Sequence, residues 1–291
     1  MEGAMSPRKG IYRFRRLAIV VAALAQTGIA TAQAPGTSTA LAAVPRRIVS
    51  LNLCADQYLL ALADRSQIAG LTRNALDPEM SAAADQARGL PILKGAAEEI
   101  LSIKPDLIIG ALGRRSGVMA ALSKERYRMI DLSLANSYAD IVAQIRQVAQ
   151  AVGHPGRGEA LIARMNLDLA TVVRRPQAGV AAYYQRRGFL TGTGTLVDDL
   201  MTRVGLINLA GKLGKPALSQ LSLEELMAAN PDYLIVEGGA EHVVDQGTEM
   251  LQHPLLRGIK RLRLPQAWTV CGGPAYVDAV RNLAAQLDRT R

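Results

Sequence analysis

Cys54 and Cys271 are the only cysteines in the chain. Two thiols cannot build a four-thiolate zinc site or a multi-bridge scaffold. Three options stay open: a disulfide in an oxidising compartment, ligation of a soft metal or metal complex, or two separate thiols. The pair is not a Cys-x-x-Cys motif, which argues against a disulfide oxidoreductase. Two arginine pairs, Arg114–Arg115 and Arg186–Arg187, each follow a predicted strand. Their guanidinium forks suit carboxylate, catecholate or phosphate oxygens. Gly192-Thr193-Gly194-Thr195 resembles a phosphate cradle. It lacks the Gly-Lys-Ser/Thr ending of a P-loop and the spacing of a dinucleotide fingerprint. It reads instead as a tight turn in which Thr195 caps the next helix. His154, His242 and His253 form no ligand or triad pattern, and only His242 falls in a loop that could line a cleft. The acidic pairs Glu98–Glu99 and Asp198–Asp199 lie on predicted amphipathic helices. These residues point to binding, and no catalytic residue is assigned.

The elements that must position them alternate. Ile48–Leu53, Ile68–Leu71, Leu107–Ile109 and Met129–Leu132 are short apolar runs that read as buried strands, and Tyr138–Val152 has helical periodicity. Strands at Gly179–Tyr184 and Tyr233–Val236, with helices at Leu196–Val204, Leu223–Ala229 and Ala275–Leu287, repeat the plan. This alternation predicts an α/β fold of two lobes, each with a mainly parallel sheet flanked by helices. Arg157–Arg175 carries apolar residues mostly on one helical face and is read as one long backbone helix joining the lobes. Ligands of such folds sit at the carboxyl ends of the strands. The candidate cleft residues there are Asn52, Cys54, Asp56, Arg114, Arg115, Arg186, Arg187, Thr193, Trp268 and Cys271.

One internal match is specific. Glu98-Glu99-Ile100 then Pro105-Asp106-Leu107-Ile108-Ile109 parallels Glu224-Glu225-Leu226 then Pro231-Asp232-Tyr233-Leu234-Ile235. The offset is 126 residues for both the glutamates (98 to 224) and the Pro-Asp pairs (105 to 231). Each copy reads as a short helix, a Pro-Asp turn that ends it, and a buried strand.

The chain has 291 residues, 49% hydrophobic and 20% charged, which excludes intrinsic disorder and collagen-like repeats. A basic stretch from Arg8 to Arg16, an apolar run from Leu17 and the small residues Ala30-Thr31-Ala32 read as a cleaved secretion signal over residues 1–32. Without it the net charge of +9 falls to +5, from 29 Lys/Arg against 24 Asp/Glu. No basic cluster is interleaved with aromatics, so no nucleic-acid partner is expected. The expected organisation is a signal peptide (1–32), a disordered leader (33–44), a first lobe (45–153), a linker helix (154–176) and a second lobe (177–291). The expected location is a bacterial periplasm.

The stretch Arg46-Arg47-Ile48-Val49-Ser50-Leu51-Asn52-Leu53-Cys54-Ala55-Asp56-Gln57 resembles the opening of substrate-binding proteins for iron-siderophore and cobalamin ABC importers. Glu99 to Ile109, Thr191 to Leu200, Asn230 to Val236 and Trp268-Thr269-Val270-Cys271-Gly272-Gly273-Pro274 are similar to that family as well, so the resemblance covers about residues 45 to 288. It implies two lobes on a backbone helix, small hinge motion, no permanently bound cofactor and no enzymatic activity. It implies an inner-membrane ABC permease as partner, with Glu98 and Glu224 as the docking glutamates, and a monomer. The arginine-bearing loops favour a ferric siderophore as ligand. Cobalamin ranks second, because an aromatic-lined cleft would have only Trp268, Tyr184 and Tyr276 to draw on. Heme, through a Tyr or His242, or another metal complex follows. A periplasmic sensor or metallochaperone is the competing reading.

Overall fold

The structure is a computed structural model that describes residues 43–111, 117–122, 126–176, 178–238, 245 and 247–290. The secretion signal, most of the leader, Arg114, Arg115 and His242 lie outside the described residues.

In the first lobe β1 (Ile48–Ser50), β2 (Ile68–Thr72), β3 (Ile92–Leu93), β4 (Leu107–Gly110) and β5 (Met129–Asp131) form one parallel sheet, in the order β3-β2-β1-β4-β5. The central strands are apolar without alternation because both faces are covered: Ile48, Val49, Leu107, Ile108 and Ile109 are fully buried. Helices α1 (Leu53–Leu62), α2 (Ala84–Ala87), α3 (Ala97–Ile103), α4 (Gly117–Leu122) and α5 (Tyr138–Ala151) accompany the sheet. The chain winds outward through β2 and β3 on one side of β1 and through β4 and β5 on the other. The β1–β4 boundary is therefore the topological switch point, where the loops beyond the strands part and leave a crevice.

Helix α6 (Pro155–Ala170) links the lobes, with Leu161, Ile162, Met165 and Leu169 buried on one face. It is shorter than the Arg157–Arg175 span read from the sequence. Thr171 and the β-branched pair Val172-Val173 follow, and Pro176 bars a helical continuation.

In the second lobe β6 (Gly179–Tyr183), β8 (Leu206–Asn208), β10 (Tyr233–Glu237) and β11 (Lys260–Leu264) form a second parallel sheet, in the order β11-β10-β6-β8. A separate antiparallel ribbon pairs β7 (Phe189–Thr191) with β9 (Leu218–Gln220). Helices α7 (Leu196–Val204), α8 (Leu209–Lys212), α9 (Leu223–Ala229) and α10 (Tyr276–Arg289) complete the lobe.

The duplicated motif folds the same way twice. α3 and α9 both end on a left-handed residue, Lys104 (φ 51°) and Asn230 (φ 44°), and the Pro-Asp pair then turns the chain into β4 and β10. Each aspartate fastens the start of the neighbouring strand. The Asp106 carboxylate accepts from the backbone N–H groups of Arg46 and Arg47, both at 2.8 Å, and Asp232 accepts from Val180 N–H at 2.7 Å.

Candidate functional site

A cavity of about 640 Å³ opens at the carboxyl ends of the first sheet. Ser50 and Leu51 at the end of β1, Thr72 and Arg73 at the end of β2, Lys94 beyond β3 and Ala111 beyond β4 line it. Its position at the β1–β4 switch point follows from the winding. Gly110 at the end of β4 has to lack a side chain, because a Cβ there would come within 2.8 Å of the Leu51 Cβ. The second lobe closes one side with Val270 and Cys271.

Helix α1 begins in the wall of this cavity. Asn52 is its N-cap, with extended backbone (φ −155°), and its side-chain oxygen accepts from Ala55 N–H at 2.9 Å. The strand read from the sequence as reaching Leu53 therefore stops at Ser50. Cys54 sits in the first turn of α1 and is bonded to Cys271, with Cα atoms 5.3 Å apart, inside the ordinary disulfide range. Of the three readings of the cysteines, the structure carries the disulfide, and it joins the lobes across 217 residues of sequence.

Asp56 lies beneath the cavity, fully buried. It accepts from Thr72 N–H at 3.0 Å and from the Thr72 hydroxyl, and Ser50 also bonds to it. Burial pushes its carboxyl up to about 6, against the downward pull of these hydrogen bonds. Ser50 and Thr72 both line the cavity. Asp56 is thus a positioning residue that ties the ends of β1 and β2 together.

The other expected site residues are not in the cavity wall. Arg186 is ion-paired with Asp245. Arg187 takes a left-handed backbone (φ 57°), and its N–H donates to the Gly247 carbonyl at 2.7 Å. Thr193 sits in the turn after β7, where Gly194 N–H donates to the Asp198 carboxylate at 3.1 Å and Thr195 caps α7. The protein's own carboxylate thus takes the place a phosphate would need. Trp268 is half-buried and packs against the main core. Tyr184 and Tyr276 are fully buried: Tyr184 donates to the Leu221 carbonyl at 2.8 Å, and Tyr276 bonds to Asp199. Among the described residues, the cavity wall contains no aromatic side chain.

Two wall residues escaped the sequence reading. Arg73 and Lys94 are the only charged residues lining the cavity among those described. Arg73 directly follows a strand, the same signal that singled out the arginine pairs. Lys94 follows a two-residue strand, too short to leave a periodic signal. At the carboxyl end of β10 in the second lobe, Glu237 accepts from Tyr183 Oη at 3.0 Å and Gln185 Nε2 at 2.9 Å. Burial, then the charge of Glu237, raises the Tyr183 phenol far above its usual range.

Glu98 and Glu224 are exposed in the first turns of α3 and α9 and make no hydrogen bond or ion pair among the described residues. Their neighbours are used structurally. Glu99 accepts from Lys94 N–H at 2.8 Å, and Glu225 closes a capping box with Ser222.

Among the described residues no helix is long and apolar enough to cross a membrane, and no cluster of three or more His, Cys, Asp or Glu could hold a metal ion. Residues 48–263 match the family model described as periplasmic binding protein. A vitamin B12-binding protein of Photorhabdus laumondii is 25% identical over 267 residues, covering 86% of this chain and 91% of that protein. A cobalamin-binding protein of Halobacterium salinarum is 22% identical over 217 residues, 72% of this chain, and the chain spans 58% of that protein's length. Among solved structures, a periplasmic heme-binding protein of Roseiflexus sp. RS-1 in apo form superposes with a TM-score of 0.65 at 26% identity. That match covers 83% of this chain and 99% of the other.

Proposed function

Because the chain belongs to the periplasmic binding protein family, we propose that it is the substrate-binding component of an ABC importer, exported to the periplasm, and that it captures an anionic metal complex. A ferric siderophore is the first choice. The observation that carries this reading is the cavity: apolar walls of Leu51, Leu53, Leu93 and Ile100, with Arg73 and Lys94 as its only charges among the described residues. Apolar walls take up the body of an organic chelate, and the two cations meet carboxylate or catecholate oxygens at its rim. No permanent cofactor and no chemical step are needed for this role.

Cobalamin is the second reading, favoured by the relatives named for it. Against it stands a wall whose described residues include no aromatic to cover a large, largely neutral corrinoid. Exposed glutamates at matched places on α3 and α9, unpaired among the described residues, support Glu98 and Glu224 as the contacts to basic residues of a permease. A sensor or metallochaperone without a permease would share the cavity but have no use for the pair.

The test is a titration of the purified protein with ferric siderophores, hemin and cyanocobalamin, by calorimetry and by quenching of Trp268. Saturable binding of an anionic chelate at micromolar Kd or tighter supports the reading. Binding of cyanocobalamin alone replaces it with the second.

A further inference from the structure

The second lobe's share of the cavity wall, Val270 and Cys271, is held to the first lobe by three ties. Cys271 is bonded to Cys54. The buried Tyr58 hydroxyl on α1 donates to the Gly272 carbonyl at 2.8 Å. Gly272 packs so closely on the stretch before α5 that a Cβ there would lie 2.5 Å from the Ala135 Cβ. This wall therefore moves with the first lobe, although its chain belongs to the second. Only the disulfide among these ties can be switched chemically. Its two residues differ in exposure: Cys54 is half-buried in the cavity wall, whereas Cys271 is 3% exposed.

We propose that the Cys54–Cys271 disulfide is a redox-sensitive strap on this cavity: reduction frees the 270–272 wall and weakens ligand capture, and bound ligand shields the disulfide from reduction. The proposal rests on the cavity being the ligand site, as argued above. The reductant is a dithiol. One of its thiolates enters through the cavity and attacks Cys54 Sγ. The S–S bond breaks, and its electron pair leaves on Cys271, which takes up a proton. The dithiol's second thiolate then attacks the reductant's own sulfur in the mixed disulfide and expels Cys54. The N-terminal turn of α1 favours this group as a thiolate. The protein gains two electrons and becomes a dithiol, and the reductant is oxidised to a cyclic disulfide. A filled entrance slows the attack, and whatever factor reduction takes from ligand affinity, bound ligand takes from the reduction equilibrium.

The test compares oxidised protein, dithiothreitol-reduced protein and C54S/C271S by hydrogen exchange without ligand. Exchange at residues 270–277 is expected to rise about tenfold or more on reduction, while the amides of β1 and β4 keep their protection. Unchanged exchange overturns the proposal. So does a rise spread evenly through both sheets, which means global unfolding. The variant Tyr58→Phe keeps the disulfide but loosens the same wall, and should raise exchange there by a smaller factor. Kd values for the siderophore, hemin and cyanocobalamin panel are then measured in both redox states. About tenfold weaker binding in the reduced state supports the strap, and equal binding overturns it. If no panel member binds either state, the ligand assignment fails, and the exchange data alone decide the strap.

Discussion

Tyr58 and Gly272 meet across the lobes: the phenol on the first helix donates to a carbonyl of the segment that leads into the last helix, at 2.8 Å and out of contact with water. Tyr58→Phe removes the donor and leaves a buried carbonyl unpaired. The expected loss is about 1–2 kcal/mol in the free energy of unfolding, measured by urea denaturation with the disulfide intact. An unchanged midpoint and slope would mean that water replaces the phenol.

Asp56 sets a pH dependence with a definite sign. Its folded carboxyl titrates at about 6, above the usual value of 3.8, so the folded state favours the protonated form. The stabilisation is complete below pH 3.8 and is lost as pH rises through 6. A shift of about two units corresponds to ~3 kcal/mol of differential stability from this one group. Asp56→Asn can still accept from Thr72 N–H and carries no charge to bury. Denaturation curves of wild type and variant should therefore diverge between pH 4 and 7, with the variant flatter. Parallel curves would show that Asp56 does not titrate in this window.

Arg73→Ala and Lys94→Ala should each weaken binding of an anionic chelate by roughly three- to tenfold, since both side chains are exposed to solvent at the rim. The loss should shrink at high salt. Calorimetry at two ionic strengths reads both effects. Equal affinity in all variants would exclude these cations from recognition.

Charge reversal at both docking candidates, Glu98→Lys with Glu224→Lys, should leave ligand affinity unchanged and abolish ligand-dependent uptake in cells. Retained uptake would remove the two glutamates from the partner interface.

Most of the first sheet, the two central strands of the second and the main helices were legible because their signals are local. Continuous apolar runs such as Leu107–Ile109, and the cap Thr195, need only near neighbours in sequence to be read. Strand β11, which reads Lys-Arg-Leu-Arg-Leu and lies at an edge of the sheet, escaped because three of its five residues are charged and only Leu262 and Leu264 are buried. The site was half legible. Asn52 and Cys54 are in the wall because the chain must leave β1 there. Arg186 follows a strand too, yet its charge is met by Asp245, which lies 59 residues away in sequence. No local pattern announces such a partner.

The single disulfide cross-link between the lobes has a consequence for how the protein is made. With only two cysteines in the chain, one intramolecular pairing exists, and it spans 217 residues. Oxidation cannot trap a scrambled isomer within one molecule, so maturation calls for an oxidant but no isomerase. The error that remains is between molecules, when Cys54 is accessible to oxidant and Cys271 has not yet arrived to meet it.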